Sequence, residues 1–439
     1  MDFGIMTAKI DEIGYVSFRH RSRIVSASKA LVAVLLGVLA AGCDSVPGHE
    51  TLPRLDVDDR TFAATMEAHT SSPVIGGNAI DVLLNGDGIF PAKIAAIRAA
   101  RTSINYAEYF YAEGHIAGEI AQALAERCRA GVIVNILLDG FGTLSMPTEH
   151  ADLLKSAGCR TVTFRPLGRF SLRRHNNRNH RRILVVDGRV GITGGSGVSA
   201  KWAGDGKTDG LWRDTDVRIE GPAVKALQSA FVENWREATG EILGGDVHFP
   251  DALPLRGDLR AQVVRSSPAL GSYAMYTMYL LAIASARREI YLTNPYFLPD
   301  ERMEEALVAA ARRGVRVVAL TPGKIDHNIV RSASRRGFGR LLQGGIEIFE
   351  YQAALLHAKT MVVDRAWATV GSTNFDNRSF AVNDELNLVV YGAPVALRLA
   401  KSFEDDLTHA SRVTYESWEA RGFTAKLLEV LVIPFESQL

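Results

Sequence analysis

The chain has 439 residues, 47% of them hydrophobic, which is enough for two ordinary domains with full cores. Lys and Arg number 50 against 49 Asp and Glu, so no global basic excess marks a sequence-independent nucleic-acid binder, and any anion site must be local. The 3 cysteines include no C-x-x-C pair, which excludes a zinc-type cluster and a disulfide-built scaffold.

The first 43 residues do not read as core. Arg19, Arg21, Arg23 and Lys29 precede the apolar run ALVAVLLGVLAA at 30–41, followed by Gly42, Cys43 and Asp44. A bilayer-spanning helix needs roughly 20 apolar residues, and this shorter run has the length and flanks of a secretory signal core. LAAGC is similar to a bacterial lipoprotein processing site, which implies a signal peptide at 1–42, lipid on Cys43 and a linker at 43–75. An ordinary signal peptide is the alternative, and the long leader before Arg19 leaves Met6 as a second candidate start. The expected location is the bacterial cell envelope, on the periplasmic side and lipid-anchored, with Asp44 resembling an inner-membrane retention signal. Cys128 and Cys159 then remain, expected as two buried free thiols, with a single bridge as the alternative.

From residue 76 onward, strand-like runs alternate with helix-like ones. INYAEYF (104–110) precedes a helical pattern from Ile116 to Ala130, then VIVNILLDG (132–140); the alternation predicts an α/β fold with mainly parallel strands. The order then recurs. IRAARTSINYAEYFY (97–111) matches IASARREIYLTNPYFL (283–298), RAGVIVNILLDG (129–140) matches RRGVRVVALTPG (312–323), and HRRILVVDG (180–188) matches HAKTMVVDR (357–365). GGSG (194–197) likewise matches GSTN (371–374). This is an internal duplication, with halves at 76–250 and 257–439 joined through the Gly/Pro-rich GGDVHFPDALPLRG (244–257).

Each copy opens a short apolar strand with a histidine and a cation two positions on. Side chains on a strand alternate faces, so His180 projects with Arg182 and His357 with Lys359. The Gly-containing turns that follow offer backbone N–H groups and the Ser196, Ser372 and Asn374 side chains to a phosphate oxygen. WRDTDVRI (212–219) aligns with NDELNLVV (383–390) and pairs Asp214 with Glu385, carboxylates suited to fixing an imidazole tautomer. One histidine on a strand is ordinarily a satisfied core residue. Two in corresponding places, each with its cation and acid, are not, because a core needs no paired charges.

The chain resembles the phospholipase D superfamily, most closely the bacterial cardiolipin synthases. The H-x-K-x4-D signature is present as His357, Lys359 and Asp364, followed by Gly371, Ser372 and Asn374. It is present with changes as His180, Arg182 and Asp187. The resemblance covers about residues 76–435 and includes WRDT (212–215), NPYFLPD (294–300) and DNRSF (376–380). It implies two tandem α/β/α halves sharing one active site. A phosphohistidine forms on one imidazole, taken as His180, while the other, His357, acts as acid and base. The expected reaction is phosphatidyl transfer between two phosphatidylglycerols, without metal or other cofactor. The expected partners are anionic phospholipid and a membrane surface. Hydrolysis to phosphatidic acid, a periplasmic phosphodiesterase or nuclease, and a catalytically inactive lipid-binding scaffold are the alternatives. Two departures stand out: Arg182 replaces lysine, and Gly197 replaces asparagine. Ahead of His180, the basic run 164–182 carries Arg165, Arg169, Arg173, Arg174, Arg178, Arg181 and Arg182, expected to gather lipid headgroups. The apolar FTAKLLEVLVIPF (423–435) is expected to pack as a helix, with contact to a bilayer as the alternative.

Overall fold

The computed structural model describes residues 51–423 apart from 167, 169–175 and 325–327, together with 426 and 429. Cys43, the leader before it and most of 423–435 lie outside the described residues, as do Arg169, Arg173 and Arg174 of the basic run.

The first half contributes β1 (Val74–Leu84), β2 (Ser103–Glu108), β3 (Ile133–Asp139), β4 (Arg160–Phe164), β5 (Ile183–Val186), β6 (Val190–Gly194), the short β7 (Trp212–Arg213) and β8 (Thr215–Glu220). The second contributes β9 (Leu259–Ser266), β10 (Glu289–Thr293), β11 (Phe297–Leu298), β12 (Arg316–Pro322), β13 (Glu347–Tyr351), β14 (Leu355–Leu356), β15 (Thr360–Val363), β16 (Trp367–Gly371), β17 (Phe375–Asp376), β18 (Glu385–Tyr391) and β19 (Ala410–Val413). Strand order is β1-β8-β6-β5-β2-β3-β4 in one half and β9-β18-β16-β15-β10-β12-β13 in the other, with β19 added at the far edge. The same order twice is the structural form of the duplication.

The two sheets join through antiparallel pairing of β1 with β9, whose register shifts between Ile75 and Asn78. Gly77 sits there at φ +86°, a left-handed conformation that glycine adopts without steric cost. Beyond this corner β1 continues along β8 instead, and strands β6 and β8 come close to β16 and β18. The sheets are mixed, and less parallel than the alternation predicts. Within the large sheet, among the described residues, parallel pairing is confined to β2-β3-β4 and β10-β12-β13. Parallel neighbours need a crossover helix, whereas β5–β6 and β15–β16 are hairpins turning at Asp187-Gly188 and Asp364-Arg365, all four at positive φ.

Helices cover both faces. In the first half α2 (Asn85–Ala99) and α3 (His115–Arg129) bury Ile89, Ile97, Ile120 and Leu124 against Ile104 and Ile136. In the second, α6 (Ala274–Ser285) follows the same placement but is buried almost all round, because α1 (Arg60–Thr70) packs over it. A second core cluster runs through both halves, joining Leu227, Phe231 and Trp235 of α5 (Val224–Thr239) with Leu399 and Phe403 of α10 (Ala393–Leu407) and with strand residues from both sheets. Cys128, at the end of α3, is disulfide-bonded to Cys159, with Cα atoms 5.5 Å apart. The expectation of two free thiols is therefore corrected: the α3–β3 turn and the entry to β4 bring the cysteines together. Among the described residues no helix is long and apolar enough to cross a membrane.

Candidate active site

His180 and His357 stand just ahead of β5 and β15, and each leader crosses to the opposite half. The His180 N–H donates to Asp384 O at 2.9 Å and the His357 N–H to Arg213 O at 2.7 Å. Asn179 bridges Asp384 in parallel, and β14 pairs in parallel with β7. Because Asp384 precedes Glu385 and Arg213 precedes Asp214, the same backbone pairing delivers a carboxylate from each half to the histidine of the other. His180 Nδ1 lies 2.9 Å from Glu385 Oε1. His357 Nδ1 lies 2.7 Å from Asp214 Oδ2. With each Nδ1 committed to a carboxylate, Nε2 is left as the reacting nitrogen.

The cations sit at those nitrogens. Arg182 Nη2 is 3.4 Å from His180 Nε2, and Lys359 Nζ lies beside both ring nitrogens of His357, 2.9 Å from Nδ1 and 3.0 Å from Nε2, while donating to the His357 carbonyl. Burial, then Arg182 and Lys359, hold the His180 imidazole well below its ordinary range. Burial and Lys359 likewise lower His357 to about 4, against the pull of Asp214. The carboxylates are unequal. Burial works against charge on Asp214, but His357, Lys359 and the Trp202 indole hold it below the usual range. That attraction is full only when His357 is protonated, which burial and Lys359 disfavour. At neutral pH the pair is therefore an ionised Asp214 accepting from a neutral imidazole. Burial pushes Glu385 up to about 7, with the Ser372 hydroxyl opposing it.

Aromatic rings fix both imidazoles. Tyr109 meets His180 edge-on at 4.6 Å, and Trp202 and Trp212 stand 5.2 and 4.9 Å from His357. Trp202 Nε1 donates to Asp214 Oδ2 at 2.8 Å, a counterpart to Ser372 Oγ, which donates to Glu385. The same indole explains Gly197. A Cβ there would lie 2.9 Å from the Trp202 ring, so the asparagine of the second motif has no room in the first.

Several expected site residues lie elsewhere. Asp187 and Asp364 are at the far ends of β5 and β15 and do not join the site. Asp187 accepts from the backbone N–H groups of Arg101, Thr102 and Ser103, and Asp364 from those of Arg287, Arg288 and Glu289. They hold hairpin turns to the starts of β2 and β10. Nor do the Gly turns cradle phosphate. Gly195 N donates to Thr215 O and Ser372 N to Leu386 O; the Ser196 N–H and hydroxyl both go to Asp216. Ser196 is thus a buried structural hydroxyl, and Ser372 orients Glu385. Asn374 keeps its candidacy, since its buried Oδ1 has no partner among the described residues. The described arginines of the basic run, Arg182 aside, are committed to protein groups. Arg165 forks onto Glu237, Arg178 pairs with Asp139, and Arg181 is buried on Glu233, Asn234, Ser266 and Ser267.

Sequence reasoning missed Trp202, Tyr109 and Glu108. Trp202 has no matching residue in the second copy, so the repeat could not reveal it. Glu108 stood in the aligned strand INYAEYF and could have been found by asking what neutralises an arginine where the other copy has lysine.

The fold and the paired histidines define a duplicated α/β protein of the phospholipase D type. Residues 279–407 match the family model described as "Cardiolipin synthase, PLD-like domain". The chain is 35% identical to the cardiolipin synthase of Geobacillus kaustophilus, over 81% of this chain and 72% of that one. It is 33% identical to cardiolipin synthase 1 of Bacillus cereus, over 87% and 77%. Among solved structures, phosphatidylserine synthase from Haemophilus influenzae shares the fold, with TM-score 0.66 and 12% identity over 86% of this chain and 97% of that one. The chain belongs to the cardiolipin synthase family of phospholipase D-like proteins.

Proposed function

We propose that the protein is a phosphatidyltransferase that joins two phosphatidylglycerols into cardiolipin and releases glycerol. The observation that carries this reading is the crossed pairing of His180 with Glu385 and His357 with Asp214, each imidazole presenting Nε2 beside a cation. A phosphodiester held between Arg182 and Lys359 supplies negative charge that offsets the cations depressing both imidazoles.

His180, held neutral, attacks phosphorus through Nε2. A nitrogen–phosphorus bond forms, the bond to the departing glycerol oxygen breaks, and the His357 imidazolium, favoured by ionised Asp214, gives that oxygen its proton. His357 then takes the proton from the hydroxyl of a second phosphatidylglycerol, whose oxygen displaces His180. The unequal carboxylates support this division of labour: an ionised aspartate suits the imidazole that must become a cation, and a raised glutamate suits the one that must stay neutral.

Lipid attachment at Cys43 on the periplasmic side belongs to the same reading, because donor and acceptor both sit in a bilayer surface. The Cys128–Cys159 disulfide supports it, since such bonds persist in oxidising compartments. Incubating the purified protein with labelled phosphatidylglycerol and separating the lipids tests the reaction. Cardiolipin with equimolar glycerol is expected; phosphatidic acid alone would make water the acceptor and the protein a hydrolase.

A further inference from the structure

Behind Arg182 lies a run of buried charges that the second half lacks. Lys93, on α2 and 3% exposed, donates to Ser196 Oγ at 2.8 Å and pairs with Asp216 Oδ2 at 2.9 Å. Glu108, at the end of β2 and fully buried, accepts from the N–H groups of Tyr109 and Phe110 and from the Tyr106 hydroxyl. Its Oε1 lies 3.7 Å from Arg182 Nε, an ion pair beyond hydrogen-bond distance, and faces there a buried N–H with no hydrogen-bond partner among the described residues.

The repeat sets Lys93 opposite Tyr279, Asp216 opposite Asn387, Ser196 opposite Thr373 and Glu108 opposite Asn294. The second half builds the same connections without charge. Thr373 Oγ1 donates to Asn387 Oδ1 at 2.8 Å, and Asn387 Nδ2 donates to the Tyr279 hydroxyl at 3.1 Å. Asn294 Oδ1 accepts from the N–H groups of Tyr296 and Phe375, as Glu108 accepts from Tyr109 and Phe110. Arg182 and Lys359 both donate back to the carbonyl of their own histidine, but where the second half has Asn294, Arg182 has a carboxylate, Glu108, beside its remaining N–H. A planar guanidinium has to be held in one orientation to present an edge to phosphate.

We propose that Glu108 and Lys93 are positioning residues for the reaction: Glu108 holds the Nε side of Arg182 so that Nη2 faces His180 Nε2, and Lys93, anchored by Asp216, keeps Glu108 ionised to do so. Burial raises the Glu108 carboxyl, while Lys93 and then Arg182 pull against that. The groups facing it are Lys93 from α2, Arg182 from the leader of β5 and Tyr106 from its own strand, with Tyr111 and Asp216 farther off. Removing Lys93 leaves Glu108 with one cation, so it gains a proton at higher pH and releases the guanidinium.

This rests on phosphodiester chemistry at His180. The test is kcat and KM for phosphatidylglycerol in mixed micelles, with calorimetric binding of inorganic phosphate, from about pH 5 to about pH 9. Lys93→Met should lower kcat roughly ten- to a hundredfold and move the acid limb of both profiles up by about one unit or more; Lys93→Arg should restore both. Glu108→Gln should lower kcat similarly and make the effect of a second Lys93→Met change small. Lys93→Met/Asp216→Asn, which copies the neutral second half, should recover thermal stability yet keep the shifted limb. Two results overturn the proposal: a Lys93→Met protein that loses stability with an unshifted limb, or a double variant that recovers limb and stability together, either of which reduces Lys93 to neutralising Asp216. Phosphate binding that behaves as expected in a protein inert toward phosphatidylglycerol would sink the substrate assignment and leave the positioning intact.

Discussion

Asp214 Oδ2 lies 2.7 Å from His357 Nδ1, although 143 residues and a half-chain boundary separate them. Glu385 reaches His180 from the other direction across 205 residues. Each half therefore supplies the carboxylate to the other's histidine, and neither holds a whole pair of its own. Because Asp214 is ionised and Glu385 is pushed up to about 7, their neutral amides should behave differently. Asp214→Asn should lower kcat by roughly 10²- to 10⁴-fold, the range seen when a histidine loses its orienting carboxylate. Glu385→Gln, which removes a charge already partly titrated at neutral pH, should cost less. Steady-state kinetics on both, at one pH near neutrality, decides it; equal losses would mean the two carboxylates do the same work.

Asp187 gives the opposite expectation. It takes three backbone N–H groups and the Thr102 hydroxyl at the far end of the strand from His180. Asp187→Ala should destabilise by about 2 to 4 kcal/mol, several hydrogen bonds to a charged acceptor, while activity per folded molecule stays near wild type. Burial works against its charge, but those N–H groups hold its carboxyl below the usual range. Its contribution is therefore present above the unfolded carboxyl range and lost as pH falls through the folded one. Denaturant melts of wild type and variant should converge at low pH. A variant of full stability with lost turnover would return Asp187 to the chemistry.

The duplication, the alternating elements and the histidine–cation pairs were all legible in the sequence, because period and spacing survive in one dimension. The crossing of carboxylates was not. Aligning Asp214 with Glu385 identifies both residues, but symmetry between copies is satisfied equally by pairing within a half or between halves, and only the backbone bridge from Asn179 to Asp384 decides. The aspartates of the signature misled in the other direction. Motif spacing does not say that a residue five positions beyond the cation sits at the opposite end of a strand, where it closes a hairpin. The glycines expected to present backbone N–H groups to phosphate instead make room for Asp216 and Asn387, whose side chains would lie about 2 Å from a Cβ at Gly194 and Gly371.

The Cys128–Cys159 bridge closes a loop of 31 residues between the end of α3 and the start of β4. Chain-entropy arguments give such a loop about 3 to 4 kcal/mol of stabilisation. Cys128→Ser/Cys159→Ser should therefore melt lower than wild type under oxidising conditions, and a reductant should lower wild type toward the variant without moving the variant. The site is built from other elements, so turnover at low temperature should survive. Identical melts with and without reductant would show that the bond forms no part of the stable protein.

The roles of the two imidazoles can be separated by trapping. His180 is held neutral and lies beside Arg182, whereas His357 leans on an ionised Asp214. His357→Ala should keep the attacking nitrogen and lose the proton donor. A phosphodiester with a good leaving group, which needs no protonation, should then still label the protein, and the adduct should turn over slowly because no base remains to activate the acceptor. His180→Ala should take no label from any substrate. Rapid quenching into alkali preserves a phosphohistidine, and peptide mapping locates it. Label on His357 in the His180→Ala protein would reverse the assignment, and with it the reading that the raised Glu385 marks the nucleophile. A wild-type protein that carries label on neither histidine while still making cardiolipin would leave direct displacement by the acceptor hydroxyl as the mechanism, with both imidazoles reduced to proton transfer and charge.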